Sequence, residues 1–438
     1  GAYNNLGVVF DELGEHQKAI GCYEKAIQIN PNYINAYNNL GVVFDELGEH
    51  QKAIGCCDKA LQIQPQNFKT HDAIINIKWE NNYGNKSFTD LFNYIEEINE
   101  PPLDLVDLLL DGLIQTSQKD LLINLKNILK KKTPHNLGYK LRQATIDSTE
   151  LIGNYEDALK ILTEISKSPN NTIIDTERLE FEISKMHFYV GKTKEALIFL
   201  NRLSKTNDHN FLQEILSFKA HVLKYLKDDD YFNLCDYDRF LFAQELQAPN
   251  RWKNLNSFNL DLAKELEKLH VHKKHPYDQT LRNGTQTLGS LFANKNYKYK
   301  CIFELKNLFD KAIQKYIKKL NYNDEHPFLK YIPSSINISG SWSISLNNGG
   351  FHINHFHPEG WLSSVYYVSL PDTLDKKGKS KQGWLKFGEP THNKYNLLPD
   401  KWVQPKVGLL VLFPSYFWHG TEPFQSNENR LTVAFDAK

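Results

Sequence analysis

The feature that most constrains the fold of this 438-residue chain is an internal repeat near its beginning. Residues 2–22 recur without a single change at 36–56, which sets a period of 34 residues. Within each copy, apolar side chains recur at helical spacing, and a glycine (Gly14 in the first copy) interrupts the pattern midway. Such a unit predicts two helices joined by a turn, and neighbouring units bury their apolar faces by stacking. The chain therefore begins as a helical solenoid.

The order of small and aromatic residues in these units resembles the tetratricopeptide repeat (TPR) family. It runs aromatic, Leu-Gly, aromatic, Gly, Ala, aromatic, Ala and Pro, with Pro31 and Pro65 closing the two units. The resemblance covers residues 2–68 and implies a surface that binds peptides or proteins. Because residue 1 falls inside the first unit, we expect the natural array to extend further upstream. A weaker helical pattern over 69–230 predicts divergent repeats that continue the solenoid.

Composition excludes several classes of protein. The chain has 52 basic and 52 acidic residues, so its net charge predicts neither nucleic acid nor a membrane surface as a partner. The longest apolar run ends at Trp418 and is interrupted by Pro414, so no membrane-spanning segment is predicted. The five cysteines are few and form no CxxC pair, which predicts a reducing, cytoplasmic setting.

From about residue 336 the pattern changes to short alternating or apolar runs separated by Gly, Pro, Asn and Asp. These runs predict strands at 336–346, 362–370, 383–387, 407–413 and 430–435. Strands at this spacing indicate a sandwich or a barrel. An amphipathic helix is predicted before them at 305–320. The predicted domains are two repeats at 1–68, divergent helical repeats at 69–230, and a third domain at 231–438 with its β core at 336–438.

Three histidines are candidate metal ligands. His355 and His357 are two residues apart, and alternate side chains of a strand share one face, so the pair can chelate one ion. His419 follows a buried apolar run and can supply a distant third ligand. This is the logic of the facial triad of non-haem iron oxygenases, which keeps positions open for cosubstrate and oxygen. Arg430 opens the last strand and is the candidate cation for an anionic cosubstrate.

The last hundred residues resemble the iron(II)- and 2-oxoglutarate-dependent oxygenase superfamily, and within it a bacterial and phage subgroup. The resemblance spans about 275–436 and rests on residues 279–287, 354–358, 362–368, 408–415, 419 and 430–432. It implies a double-stranded β-helix fold, ferrous iron, 2-oxoglutarate and dioxygen. It also implies catalytic roles for His355, His357, His419 and Arg430. Cosubstrate binding is implied for Arg430 together with Thr432 and Tyr367.

The superfamily usually places a carboxylate two residues after its first histidine ligand, and this chain departs from that pattern. Two registers fit the sequence: either His355, His357 and His419 bind the metal, or Glu359 replaces His355. We favour the three-histidine register because it resembles the subgroup. In addition, Pro358-Glu359-Gly360 has the composition of a turn at the end of a strand.

Other aromatic and histidine residues are weaker candidates. Trp342 and Trp361 could line a substrate pocket, although aromatic residues of strands usually belong to a core. His270, His272 and His275 also have ligand-like spacing, but the lysines among them would repel a cation. We therefore expect this second histidine segment to be a solvated surface.

Together these features predict a multidomain α + β protein, in which a TPR-like α-helical solenoid precedes a double-stranded β-helix domain with flanking helices. The predicted function is hydroxylation of a C–H bond on a protein or peptide side chain that the repeats recruit, and prolyl hydroxylation is one member of that class. Two alternatives remain open. One is a three-histidine iron dioxygenase that does not use 2-oxoglutarate. The other is a TPR adaptor whose oxygenase domain is inactive.

Overall fold

The computed structural model describes residues 1–132, 134–168, 174–272, 274–374 and 380–438. They form two compact units, the first comprising Gly1–Ile165 and Val271–Gln279 and the second Ser166–His270 and Thr280–Lys438. The division of the sequence into three domains, at 1–68, 69–230 and 231–438, stays a prediction. Within the described ranges, no helix is both long enough and apolar enough to cross a lipid bilayer.

Paired helices build the first unit. α1 packs on α2 and α3 on α4, so each 34-residue repeat is one helix pair, as the sequence predicts. Gly14 and Gly48 have φ values of +72° and +76° and make the turn within each pair, a conformation that glycine adopts without steric cost. The helices are α1 Ala2–Glu12, α2 His16–Ile29, α3 Ile34–Glu46, α4 His50–Ile63, α5 Phe68–Glu80, α6 Thr89–Glu97, α7 Leu103–Gln115, α8 Lys119–Lys132, α9 Leu137–Ser148 and α10 Tyr155–Ser166, with a 3-10 helix at Gly84–Phe88.

Gly7 and Gly41 occupy equivalent positions in the two repeats but contact different neighbours. A Cβ placed on Gly7 of α1 would come within 2.5 Å of the Tyr23 ring. The position 34 residues after Tyr23 is Cys57, and a Cβ on Gly41 would lie 3.4 Å or more from every neighbouring atom. The first repeat therefore needs its glycine for close packing, whereas the second has room for a methyl group.

The second unit combines helices with antiparallel sheets. One sheet has the strand order β1-β7-β4-β9-β3-β2 and the other the order β6-β5-β8. The helices are α11 Thr176–Tyr189, α12 Thr193–Leu203, α13 His209–Leu226, α14 Asp230–Leu234, α15 Tyr237–Phe240, α16 Leu255–Glu267 and α17 Lys300–Ile317, with 3-10 helices at Asn294–Asn296 and Leu329–Tyr331. The strands are β1 Phe242–Glu245, β2 Leu281–Gln286, β3 Ile338–His352, β4 Leu362–Ser369, β5 Leu385–Phe387, β6 Lys401–Val403, β7 Leu409–Pro414, β8 His419–Thr421 and β9 Arg430–Ala437.

Strand β9 separates an apolar core from a polar face. Its odd-numbered residues enter the main core of the unit, where Phe435 lies 4.8 Å from Phe309 of α17 between ring centroids. Arg430, Thr432 and Asp436 occupy even-numbered positions and therefore share the opposite face. This alternation holds three polar side chains on one rigid strand, all of them buried.

The structure confirms the predicted fold class, with a helical solenoid followed by an antiparallel β region. The helix predicted at 305–320 is α17, and the five predicted strands correspond to β3, β4, β5, β7 and β9. Strands β1, β2, β6 and β8 were not predicted. Each of these is short, and a run of three to six residues carries too little periodicity to be recognised.

Candidate metal centre

His355 and His357 lie on an irregular segment after β3, so the prediction that they belong to a strand was wrong. β3 ends at His352, and His355 makes one isolated antiparallel bridge to His419, with N···O distances of 2.8 and 2.9 Å. The His357 amide donates to the carbonyl of Ser415 at 2.9 Å. Backbone hydrogen bonds thus fix all three histidines, although only His419, the first residue of β8, belongs to a regular ladder.

Gly420 allows this segment to approach β8 closely. A Cβ at position 420 would clash with Oδ1 of Asn354 and would lie 3.0 Å from the carbonyl oxygen of His352. Only glycine leaves the space for such an approach. The residue after His419 therefore determines how near its imidazole comes to the other two.

The three imidazoles face one another. The ring centroids of His355 and His419 are 4.1 Å apart, those of His355 and His357 are 5.0 Å apart, and those of His357 and His419 are 5.2 Å apart. One ring nitrogen from each residue lies within 4.8 Å of the other two, a spacing that can hold one metal ion. Glu359 is exposed in a turn and does not belong to this group.

Each of the three rings has its Nδ1 atom anchored. His355 Nδ1 lies 2.7 Å from the carbonyl oxygen of Ile353, and His419 Nδ1 lies 2.9 Å from that of Phe417. A carbonyl can only accept, so both Nδ1 atoms must carry the proton. His357 Nδ1 lies 2.8 Å from a carboxylate oxygen of Asp436. This arrangement leaves the Nε2 lone pairs for a metal, and the anchors fix each ring's orientation.

The site favours neutral imidazoles. Burial, together with the neighbouring His357, lowers the pKa of His355 from 6.5 to about 3. Burial, followed by the charges of His355 and His357, holds the pKa of His419 well below its usual value. Both rings are therefore unprotonated at neutral pH, which is the form that coordinates a metal.

Asp436 was not predicted as a site residue, although its place in β9 offered a signal for it. Asp436 lies six residues after Arg430, hence on the same face of the strand. One of its carboxylate oxygens bonds His357, and the other accepts from the hydroxyl of Ser363 at 2.7 Å. The carboxylate is therefore held in place from two sides.

A buried arginine lies on the same polar face. Arg430 is 2% exposed, and among the described residues its Nε and Nη1 atoms have no hydrogen-bond partner. The hydroxyl of Tyr367 is likewise buried without a partner in that part of the chain, and its ring centroid lies 5.2 Å from the guanidinium carbon. Burial lowers the pKa of Arg430 and raises that of Tyr367. A buried guanidinium with unused donors is costly unless an anion joins it.

Thr432 adds a hydroxyl-bearing side chain to the same face of β9. It pairs with Tyr367 across β4 and β9, and its own side chain is buried. Two polar residues beside His355, Thr280 and His352, were not predicted as part of the site. The Thr280 hydroxyl lies 3.1 Å from His352 Nδ1 and 3.5 Å from His355 Nε2. These polar groups extend the site beyond the three histidines.

The two candidate tryptophans have different surroundings. Trp361 stacks on Phe328 at 4.6 Å between ring centroids and belongs to the apolar core rather than to the histidine group. Trp342 lies parallel to His357, with 6.0 Å between ring centroids, and therefore borders the candidate site.

The predicted solvated histidine segment is in fact buried, and that prediction was wrong. His272 and His275 are each 6% exposed. His270 contacts the hydroxyls of Thr285 and Ser343 through its two ring nitrogens, at 2.8 and 3.1 Å. The local lysines suggested a surface, but hydroxyls contact the ring of His270 and the carboxylates of Glu80 and Asp45 lie beside that of His272.

Comparison with known families agrees with this geometry. Residues 340–436 match the family model described as "Putative 2OG-Fe(II) oxygenase". Residues 2–33 and 34–67 match the tetratricopeptide repeat model. The chain therefore combines N-terminal TPR repeats with a C-terminal domain of the 2-oxoglutarate/iron(II) oxygenase type. TPR repeats generally mediate interactions between proteins.

Solved structures similar to this chain are TPR proteins. One is a tetratricopeptide repeat protein from Parabacteroides merdae, with 16% identity over 51% of this chain and 89% of that protein, at a TM-score of 0.34. Another is pilF of Pseudomonas aeruginosa, with 19% identity over 50% of this chain and 96% of that protein, at a TM-score of 0.30. A search of curated proteins gives no match to this chain.

Proposed function

We propose that the C-terminal domain is an iron(II)- and 2-oxoglutarate-dependent oxygenase that hydroxylates a C–H bond. The observation that carries the proposal is the convergence of His355, His357 and His419, each anchored through Nδ1 and each free to coordinate through Nε2. Three ligands on one side of an ion leave positions for a cosubstrate and oxygen. The three-histidine register is the one that we propose, because Glu359 is exposed and outside the group.

The donor set fits ferrous iron. Imidazole nitrogen is a common ligand for this ion, and the neutral state of His355 and His419 keeps their lone pairs available. Three neutral ligands supply no negative charge, whereas the usual triad of the superfamily contains a carboxylate. Asp436 offsets part of that difference through its hydrogen bond to His357, which increases the basicity of the ring.

Arg430 fits the distal carboxylate of 2-oxoglutarate. Its unused Nε and Nη1 donors match the two oxygens of a carboxylate, and the partnerless hydroxyl of Tyr367 is a further donor on the same side. Thr432, opposite Tyr367 on the adjoining strand, is the third residue that we assign to cosubstrate binding. An anion at this point would also compensate the buried charge of Arg430.

When bound, ferrous iron and 2-oxoglutarate supply the reducing equivalents for oxygen activation and hydroxylation, with succinate and carbon dioxide as the coproducts. The residues of the chain orient these groups and exclude water. Arg430 and Tyr367 hold the cosubstrate in a buried position. Asp436 and two backbone carbonyls hold the imidazoles. The apolar side chains of β9 pack into the core and fix the position of this strand.

The substrate class follows from the repeats. A TPR array presents side chains along an extended surface, which suits a peptide or protein better than a small metabolite. We therefore propose a protein or peptide side chain as the hydroxylated group, with a prolyl side chain as one member of the class. No membrane or nucleic acid partner is proposed.

Formation of succinate tests this function. The full chain is incubated with ferrous iron, ascorbate and 2-oxoglutarate, with and without a peptide library, and succinate is quantified. We expect succinate only when iron and 2-oxoglutarate are both present, and we expect the Arg430→Met variant to form none. Oxygen uptake that needs iron but not 2-oxoglutarate would instead identify a three-histidine dioxygenase. Failure to form succinate with every peptide would leave the adaptor function.

A further inference from the structure

A short segment outside the solenoid sequence belongs to the first unit. Val271–Gln279 is separated from Ile165 by more than a hundred residues, yet it packs with Gly1–Ile165 as one compact body. Of its side chains, His272, His275 and Tyr277 are buried. This segment, called the strap below, therefore lies against the solenoid as a bound peptide would.

The imidazole of His272 binds between two carboxylates of the solenoid. Its Nδ1 lies 2.7 Å from Oε2 of Glu80 on α5, and its Nε2 lies 3.7 Å from Oδ2 of Asp45 on α3. Burial alone would lower the pKa of His272, but the adjacent carboxylates of Glu80 and Asp45 outweigh burial and raise the pKa. The pocket therefore favours a cationic side chain.

The rest of the strap is held by aromatic residues and by a backbone contact. The Lys274 ammonium lies 3.4 Å above the centre of the Trp79 ring, which is a close cation–π contact. Trp79 Nε1 donates to the carbonyl oxygen of His275 at 2.9 Å. Tyr277 meets Phe88 edge to face at 5.5 Å between ring centroids, and its hydroxyl lies 3.4 Å from Oδ1 of Asp72. Side-chain pockets combined with a bond to the peptide backbone are the features by which proteins recognise extended peptides.

The two carboxylates that flank His272, those of Asp45 and Glu80, have equivalents in the preceding repeat. Asp11, His16 and Glu46 occupy the equivalent positions 34 residues before Asp45, His50 and Glu80. In both copies the aspartate contacts the histidine Nδ1, at 3.0 Å in the first and 2.7 Å in the second. The repeated framework thus generates the same acidic group twice, and in the second copy this group holds His272.

We propose that the face formed by Asp45, Asp72, Trp79, Glu80 and Phe88 is a peptide-binding site, with the strap as its resident occupant. Its external partner is an extended protein segment of the same chemistry: a histidine or other cation, a lysine two positions later, and an aromatic residue three positions after that lysine. This partner binds by displacing the strap. Because the strap is tethered, it competes at a high effective concentration, which weakens the binding of any segment supplied from another chain.

Binding of a labelled peptide to the 438-residue chain tests the proposal without any need for metal or turnover. The probe is a fluorescent peptide of residues 269–280, and a control peptide carries serine in place of the histidine and lysine that correspond to His272 and Lys274. We expect a strap variant with His272→Ser and Tyr277→Ser to bind the probe about tenfold or more tightly than the unaltered chain, because the tethered competitor is weakened. The control peptide should bind to neither.

A second substitution shows whether the probe uses the proposed face. In the strap variant, Glu80→Gln should reverse most of the gain in affinity, whereas Asp58→Asn, at an exposed position of α4, should not change it. Equal binding before and after Glu80→Gln would overturn the proposal, as would the absence of binding to every correctly folded variant.

Hydrogen exchange on the unaltered chain gives an answer that does not depend on the folding of any variant. An excess of unlabelled probe peptide should increase the exchange rate of amides in Val271–Gln279, because the displaced strap becomes solvated. Exchange there that does not respond to the probe, at concentrations saturating the strap variant, would contradict displacement.

Discussion

The carboxylate of Asp436 accepts a hydrogen bond from the imidazole of His357, with 2.8 Å between Oδ2 and Nδ1. This contact places a carboxylate directly against one of the three candidate metal ligands. Ser363 bonds the other carboxylate oxygen, so Asp436 cannot rotate away without losing a second contact. Asp436 thus acts on the proposed metal through His357 and is a positioning residue.

Replacement of Asp436 by asparagine should weaken ferrous iron binding by about 10- to 100-fold, because the hydrogen bond remains possible while the negative charge is lost. Isothermal titration under anaerobic conditions measures the effect. Glu359→Gln is the matched control, since it removes a nearby carboxylate that lies outside the histidine group. An affinity that falls for Glu359→Gln and not for Asp436→Asn would favour the other ligand register.

Arg430→Met should reduce the affinity for 2-oxoglutarate by about 100-fold or more, because two charge-assisted hydrogen bonds are lost. The same substitution removes a buried charge that has no ionic partner among the described residues, so the free energy of unfolding should stay the same or rise. Ligand titration and urea denaturation of the metal-loaded protein check the two effects. A large loss of stability would mean that Arg430 has a structural role.

Tyr367→Phe should cost about tenfold in 2-oxoglutarate affinity, which corresponds to one hydrogen bond. The adjacent tyrosine provides a control on the same strand. The Tyr366 hydroxyl donates to Oδ1 of Asn259 at 2.8 Å and points away from the site, so Tyr366→Phe should leave the affinity unchanged. Its expected effect is a loss of about 1 kcal/mol of stability. Equal effects of the two substitutions on affinity would contradict the assignment of Tyr367.

The second unit should lose stability as the pH falls from about 6.5 to 4, and His270 should contribute to that loss. Burial lowers the pKa of His270 from 6.5 to about 4, so the unfolded chain binds a proton in this range before the folded chain does. Between pH 7 and pH 4.5 the linkage amounts to about 2 kcal/mol. Urea denaturation at the two pH values, followed by tryptophan fluorescence, should show a smaller pH dependence for His270→Asn than for the unaltered chain. An identical dependence would exclude this role.

The two repeats should respond in opposite directions to the same substitution. Gly7→Ala forces the buried Tyr23 ring to move and should destabilise α1 and α2 by about 1–3 kcal/mol. Gly41→Ala meets only ordinary contacts and should be neutral or stabilising by up to about 1 kcal/mol, because alanine favours the helix. Amide hydrogen exchange within each helix pair measures both effects. Similar destabilisation by the two substitutions would show that the packing difference between Tyr23 and Cys57 is unimportant.

The sequence predicts those features that depend on regular spacing. The 34-residue period predicts the helix pairs, and the apolar runs predict the longer strands, because burial imposes a period on the chain. The convergence of His355, His357 and His419 was likewise expected, although not from spacing alone. It required a resemblance, since residues 64 positions apart carry no local signal of contact.

Features that depend on distant partners escaped prediction. The strap was predicted to be solvated because lysines dominate its local composition. The carboxylate that contacts His272 belongs to Glu80, almost two hundred residues earlier in the sequence. The irregular path of His355 and His357 follows from a bridge to His419 and from the space left by Gly420. Neither partner can be identified from the segment itself.

Anaerobic titration of the iron-loaded protein with 2-oxoglutarate tests the central claim most directly. Chelation of ferrous iron by a 2-oxo acid produces a visible charge-transfer absorption, and its amplitude reports the number of sites. We predict one site per chain, no absorption for His357→Ala, and a midpoint shifted to about 100-fold higher 2-oxoglutarate for Arg430→Met. The absence of this absorption in the unaltered protein, or its persistence in His357→Ala, would contradict the proposed site.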